Sequence, residues 1–147
     1  PLYSNEHQKE SVDNAVRMLD SIGVERNKMV VGAAFYARVW ENVPDTNNGL
    51  YQSGKFKSFI GYKDFENVFS PENGFKYFWD EISQAPYMYS KKKNQFATFD
   101  NPKSIKFKTR YALDKKLGGI MFWELTLDKY QNGLVDVIGE TILNSKH

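Results

Sequence analysis

The run Gly118-Gly119-Ile120-Met121-Phe122-Trp123-Glu124-Leu125 limits the possible folds more than any other stretch of this chain. An amphipathic helical pattern precedes it, two glycines lead into it, and a tryptophan beside a carboxylate closes it. A short apolar run that follows a helix in this way reads as a parallel strand buried on both faces. In a (β/α) barrel the C-terminal end of such a strand carries functional side chains. An aromatic at that end is a candidate platform for a sugar ring.

A second unit of the same kind stands near the start. Val12, Ala15, Val16, Leu19 and Ile22 recur at helical spacing within residues 5–22, and Gly23 supplies a stop. The run Met29-Val30-Val31-Gly32-Ala33-Ala34-Phe35-Tyr36 then reads as one buried parallel strand. Helix followed by buried strand through a short link is an α/β unit. Asn101-Pro102 opens another helix, with proline at an early position. Its inner stripe is Ile105, Thr109, Ala112 and Leu113, and it leads into the strand at 119–123. A last helix spans residues 134–143, with Leu134, Val137, Ile138 and Ile142 inward. The two strands, 29–36 and 119–123, are expected to be parallel neighbours in one sheet.

Residues 41–101 differ in texture. They hold Gly, Asn and Pro punctuation, many aromatics and short alternating runs. Residues 75–82 read as a short helix or strand. Tyr87-Met88-Tyr89 and Gln95-Phe96-Ala97-Thr98-Phe99 read as a hairpin with Lys91-Lys92-Lys93 at its solvated tip. The block is a small α+β insertion, so residues 1–40 and 102–147 form one domain and 41–101 another.

Composition excludes several classes. The balance of 20 basic and 18 acidic residues gives a net charge of +2, too weak a field to point to nucleic acid or an anionic membrane. No run is long and apolar enough to span a bilayer. Cysteine is absent, which removes disulfides and thiolate chemistry. His7 and His147 are isolated, so no metal is expected, and no Gly-rich phosphate loop or other cofactor motif is present. Aromatic residues make up 16% of the chain; most read as packed core, the rest as candidates for a cleft. The chain opens on Pro1 and not Met, as a piece cut from something longer would.

In order and spacing the pieces resemble the C-terminal part of family 18 glycoside hydrolases, the chitinase group. Pro1-Leu2-Tyr3 looks like the loop after the sixth barrel strand. Residues 28–38, ending Phe35-Tyr36-Ala37-Arg38, are similar to the seventh strand. Trp79-Asp80, Ala85-Pro86-Tyr87 and Phe99-Asp100-Asn101-Pro102-Lys103-Ser104-Ile105 look like the insertion domain returning to the seventh helix, and residues 118–125 like the eighth strand. Ala33-Ala34 stands where the family commonly has Ile-Pro, and Ala37 where it usually has Gly. The family's Asp-x-x-Asp-x-Asp-x-Glu signature is not in the chain.

The resemblance implies a partial (β/α)8 barrel with an α+β insertion. It also implies substrate-assisted hydrolysis of β-1,4-linked N-acetylglucosamine polymers, in which a glutamic acid protonates the glycosidic oxygen and the substrate's acetamido carbonyl attacks the anomeric carbon. No carboxylate here is placed in that acid role, so no catalytic residue is assigned and the chain alone is expected to be inactive. Trp123 is implied as the floor under a sugar, against the alternative of a core tryptophan. Tyr36 and Arg38, two apart on a strand and so on one side, are implied as hydrogen-bonding wall residues; an ion pair is the other reading of Arg38. Met121 shares the face of Trp123 and is a candidate for the cleft floor, with a core methionine as the alternative. Glu124 points the opposite way and reads as structural. Trp79, Tyr87 and Tyr89 form either a cleft wall or the insertion's own core, the latter favoured for Trp79.

Three functions stay open: part of an enzyme acting on chitin or peptidoglycan-type glycans, a sugar-binding lectin of the same fold, or a fragment with no function of its own. The expected partners are an N-acetylglucosamine polysaccharide, the remaining part of the barrel, and a second copy through exposed strand edges. The family implies an extracellular or cell-surface location.

Overall fold

The computed structural model describes residues 1–145 and shows a mixed α/β chain with two sheets. The first helix, α1 (Val12–Ser21), starts later than the apolar spacing predicts. Asn5 is the reason. Its side chain accepts from the backbone of His7 and Gln8, at 2.9 and 2.8 Å, and holds residues 5–8 in a separate turn. Ser11 then caps α1 by accepting from the Asn14 amide. Gly23, at φ 84°, ends it as expected.

The run at 29–36 divides. Strand β1 (Val30–Ala34) stops at Ala34, and β2 (Tyr36–Glu41) belongs to the other sheet. Phe35, fully buried, is the corner: its amide donates to the Trp123 carbonyl, and its own carbonyl accepts from Tyr62. β1 pairs in parallel with β7 (Gly119–Trp123), from Val30 beside Gly119 to Ala34 beside Trp123. The expected parallel pairing is present. Burial on both faces is not: Val31 and Ala33 are covered, while Val30, Met121 and Trp123 are 55%, 51% and 64% exposed. Only one face of this two-stranded sheet has helices packed on it.

The second sheet is antiparallel, in the order β3 (Lys55–Gly61), β2, β6 (Gln95–Thr98), β5 (Ala85–Ser90), β4 (Lys76–Asp80). Within residues 75–82 the segment Lys76–Asp80 thus resolves as strand, followed by a turn, and β5–β6 is the hairpin expected around the lysine run. A short helix, α2 (Phe65–Val68), follows β3. One face of the sheet, with Ala37, Val39 and Ala97, closes over Phe65, Phe69, Phe75 and Phe99. The other face carries seven rings in continuous contact: Tyr36, Phe59, Phe56, Trp40, Phe96, Tyr87 and Phe78. The aromatic content therefore divides between a core and a surface.

Helix α3 (Pro102–Asp114) begins with a capping box, since Asn101 accepts from the Ser104 amide and Ser104 Oγ from the Asn101 amide, both at 2.9 Å. Its inner stripe holds Ile105, Thr109 and Ala112, whereas Leu113 is 38% exposed. α4 (Leu134–Asn144) packs beside α3, with Leu134 and Ile138 in the main core and Val137 and Ile142 against it.

Candidate functional site

Tyr36 and Arg38 open β2 as it leaves the parallel sheet. With Ala34 they line a small cavity of about 160 Å³. Ala34 is the register partner of Trp123, and paired residues in neighbouring parallel strands present side chains to the same face. The uncovered face of the parallel sheet therefore continues from Trp123 across Ala34 toward Tyr36 and Arg38. Met121 lies on that face too, beside Gly32, and both Met121 and Trp123 are open to solvent, not part of the core. The Trp123–Glu124 peptide is cis. Glu124 is half-buried and accepts from Thr126 Oγ1 at 2.7 Å, which anchors the following turn.

Tyr36 meets the Phe59 ring edge-on at 5.5 Å, and the Arg38 guanidinium sits 5.6 Å from the same ring. Among the described residues Arg38 has no ion pair, and the Phe59 ring is the group its guanidinium approaches, so its charge stays available. The cavity floor contains a group that the residue pattern did not single out. Asp100 is 4% exposed and takes Lys108 Nζ at 2.7 Å, Ser104 Oγ at 2.8 Å and the Ala34 amide at 3.1 Å. It thus joins the outgoing chain at Ala34 to the incoming chain before α3. The available signal was Lys108 itself, a lysine three residues after Ile105 within the apolar stripe of α3.

A second cavity, about 430 Å³, lies over the aromatic face of the antiparallel sheet and shares Arg38 with the first. Tyr87 and Trp40 line it. Its wall is a loop in which Asn47, Asn48, Gly49 and Tyr51 all have positive φ. Tyr51 is fixed there by donating to Asp80 Oδ2 at 2.6 Å, and Asn5 donates to the Tyr51 hydroxyl and to Ser83. Asp80 Oδ1 also accepts from the amides of Ile82 and Ser83. Burial alone would raise the Asp80 pKa, but these donors together hold it below the ordinary carboxylate value. Burial and the bond to Asp80 push Tyr51 up.

The other insertion aromatics go elsewhere. Tyr89 is buried and donates to the Val43 carbonyl at 2.9 Å. Trp79 lies neither in the cavity nor in the sheet's own core; it packs toward Phe107 of α3 with Lys103 Nζ 3.8 Å from its ring. His7 lies against Tyr51 with the ring centroids 4.8 Å apart and the planes tilted by 35°, and His147 lies outside the described residues.

This geometry has close counterparts. Residues 1–128 match the family described as glycosyl hydrolases family 18. The chain belongs to that family. It is 34% identical over 115 residues to chitinase A1 of Niallia circulans, covering 73% of this chain and 16% of that protein. A solved family 18 N-acetylglucosaminidase from Paenibacillus barengoltzii superposes with a TM-score of 0.84 at 34% identity, over 95% of this chain and 42% of that one. A chitinase-like agglutinin from Robinia pseudoacacia superposes at 0.72 with 25% identity, over 89% of this chain and 37% of its own. The family 18 chain thus spans less than half the length of each of these relatives.

Proposed function

We propose that this chain is the C-terminal part of a family 18 glycosidase that hydrolyses β-1,4-linked N-acetylglucosamine polymers, and that it supplies a wall and floor of the substrate cleft. The observation that carries this is Trp123: a tryptophan 64% exposed at the C-terminal end of a parallel strand, on a sheet face that no element of the described residues covers. A pyranose presents an apolar C–H face, and an indole offers a flat apolar surface with an N–H at its edge. Tyr36 and Arg38, with free polar ends beside that face, bind sugar hydroxyls, and Met121 extends the floor.

In this reading β1 and β7 are strands seven and eight of a (β/α)8 barrel with α3 between them, and the antiparallel sheet is the insertion. The assignment of 41–101 to the insertion is supported by its antiparallel pairing within one five-stranded sheet, which also takes in Tyr36–Glu41. The unpaired outer edges of β1 and β7 are completed by the remaining barrel strands or by a second copy. The general acid belongs to that remaining part, so the chain alone is inactive. An extracellular or cell-surface location follows from the insoluble substrate. No helix of the described residues is long and apolar enough to cross a membrane.

The likeness to an agglutinin favours a second reading, in which the same cleft binds sugar without cleaving it. One experiment tests both. Chitooligosaccharide binding and turnover are measured for a barrel that contains this segment, with and without Trp123→Ala. Loss of both binding and turnover supports the enzyme; loss of binding in a protein without turnover supports the lectin. Unchanged binding removes Trp123 from the site.

A further inference from the structure

We propose that the 430 Å³ cavity over the antiparallel sheet is a second site for a pyranose unit, separate from Trp123, with Trp40, Phe96 and Tyr87 as its floor and the Tyr87 hydroxyl and Arg38 as its donors. This rests on the carbohydrate reading given above and assigns it another place on the molecule.

Three observations converge. The cavity lies within the size range of small-molecule sites, roughly 300–1,000 Å³. Its floor is a set of touching rings, with Trp40 6.2 Å from Phe96 and Phe96 5.5 Å from Tyr87, stacked at 27°. A flat apolar floor of that kind suits the C–H face of a sugar. The third observation is a polar group available to a ligand. Tyr87 is only 7% exposed, lines the cavity, and no group among the described residues hydrogen-bonds its hydroxyl. No buried side-chain polar atom among the described residues lacks a partner, so this hydroxyl is not sealed in the core but opens to the cavity, free to donate. Burial and the nearby Asp80 carboxylate keep the phenol protonated, so it serves as a donor. Arg38, with no ion pair among the described residues, adds a second donor at the rim.

The wall is shaped for a fixed opening. Tyr51 has φ 61°, a conformation that a bulky residue adopts only when its surroundings impose it. The bond to Asp80 imposes it here, so the loop stands off the floor and does not collapse onto it.

The test is a titration of the 147-residue chain with N,N′-diacetylchitobiose, followed by NMR, for the wild type, Tyr87→Phe and Trp123→Ala. Tyr87→Phe keeps the ring and the floor and removes only the donor, and its unfolding midpoint is measured alongside. The expected result is binding by the wild type that weakens about fivefold in Tyr87→Phe, the effect of one hydrogen bond. Equal binding by wild type and Tyr87→Phe overturns the second site, as does absence of binding by the wild type at tens of millimolar. The two sites fail separately: a fall in Tyr87→Phe with no change in Trp123→Ala upholds this cavity and removes Trp123, and the reverse upholds Trp123 and removes the cavity.

Discussion

At the scale of single residues, exposure separates site from scaffold. Trp123 and Phe35 are neighbours through one backbone hydrogen bond, yet one is 64% exposed and the other fully buried. Trp123→Ala is expected to change the stability of this chain by no more than about 0.5 kcal/mol, as for surface positions. Phe35→Ala should cost about 3–5 kcal/mol. Urea unfolding of the two variants checks the contrast, and a large loss in Trp123→Ala would return that ring to the core. The Asp80–Tyr51 bond carries a pH signature of defined sign. The folded pKa of Asp80 is lowered, so its contribution is present above the unfolded value of about 3.9 and is lost as pH falls through the folded one. The folded pKa of Tyr51 is raised, so its contribution is present below the unfolded value of about 10 and is lost as pH rises through the folded one. Asp80→Asn should therefore reduce stability most between these limits and least in acid, as read by denaturant midpoints across pH.

Among the elements, two polar groups decide how helices meet sheets. Asp128 accepts from the amides of Leu134 and Val135, at 2.8 and 2.9 Å, and so caps α4 from a loop that Gly133 lets pass close beside it. Asp128→Ala is expected to cost about 1–2 kcal/mol and to lower the thermal midpoint by several degrees, measured by circular dichroism. The Asp100–Lys108 pair is buried on both sides, at 5% and 11% side-chain exposure. Removing one partner of such a pair leaves a charge uncompensated, so Lys108→Ala should cost about 3 kcal/mol, the low end of the range because Ser104 and the Ala34 amide still hold the carboxylate. Lys91→Ala, which breaks an exposed pair with Asp45, should leave the midpoint unchanged. If the two lysine variants unfold alike, Asp100 does not lock the junction between the sheets.

For the whole molecule, the consequential feature is a parallel sheet of two strands with one covered face. General acid catalysis needs a carboxylic acid within hydrogen-bond reach of the leaving oxygen. On the uncovered face the strand residues are Val30, Gly32, Ala34, Gly119, Met121 and Trp123, and none is a carboxylate. The isolated chain is therefore expected to release chromophore from an N-acetylglucosamine oligomer no faster than buffer does. Turnover that disappears on replacing one of its own carboxylates would refute this.

Much of the fold was legible in the residue pattern because it depends on local rules. The strand at 119–123, the hairpin around Lys91–Lys93, the Asn101-Pro102 helix start and the Gly23 stop each follow from spacing, capping or backbone freedom within a few residues. Tertiary structure alone decided the rest. An apolar run cannot show that the chain turns a corner at Phe35, since the corner depends on Trp123 and Tyr62, far along the chain. Nor can it show that Met121 and Trp123 lie open, because burial is a property of what packs on a face and not of the face itself. Asp100, Asp80 and Tyr51 look like ordinary surface residues in the sequence, and Lys108 shows only that a lysine falls within an apolar stripe. They become structural only when folding places their polar atoms within reach of one another, away from competing water.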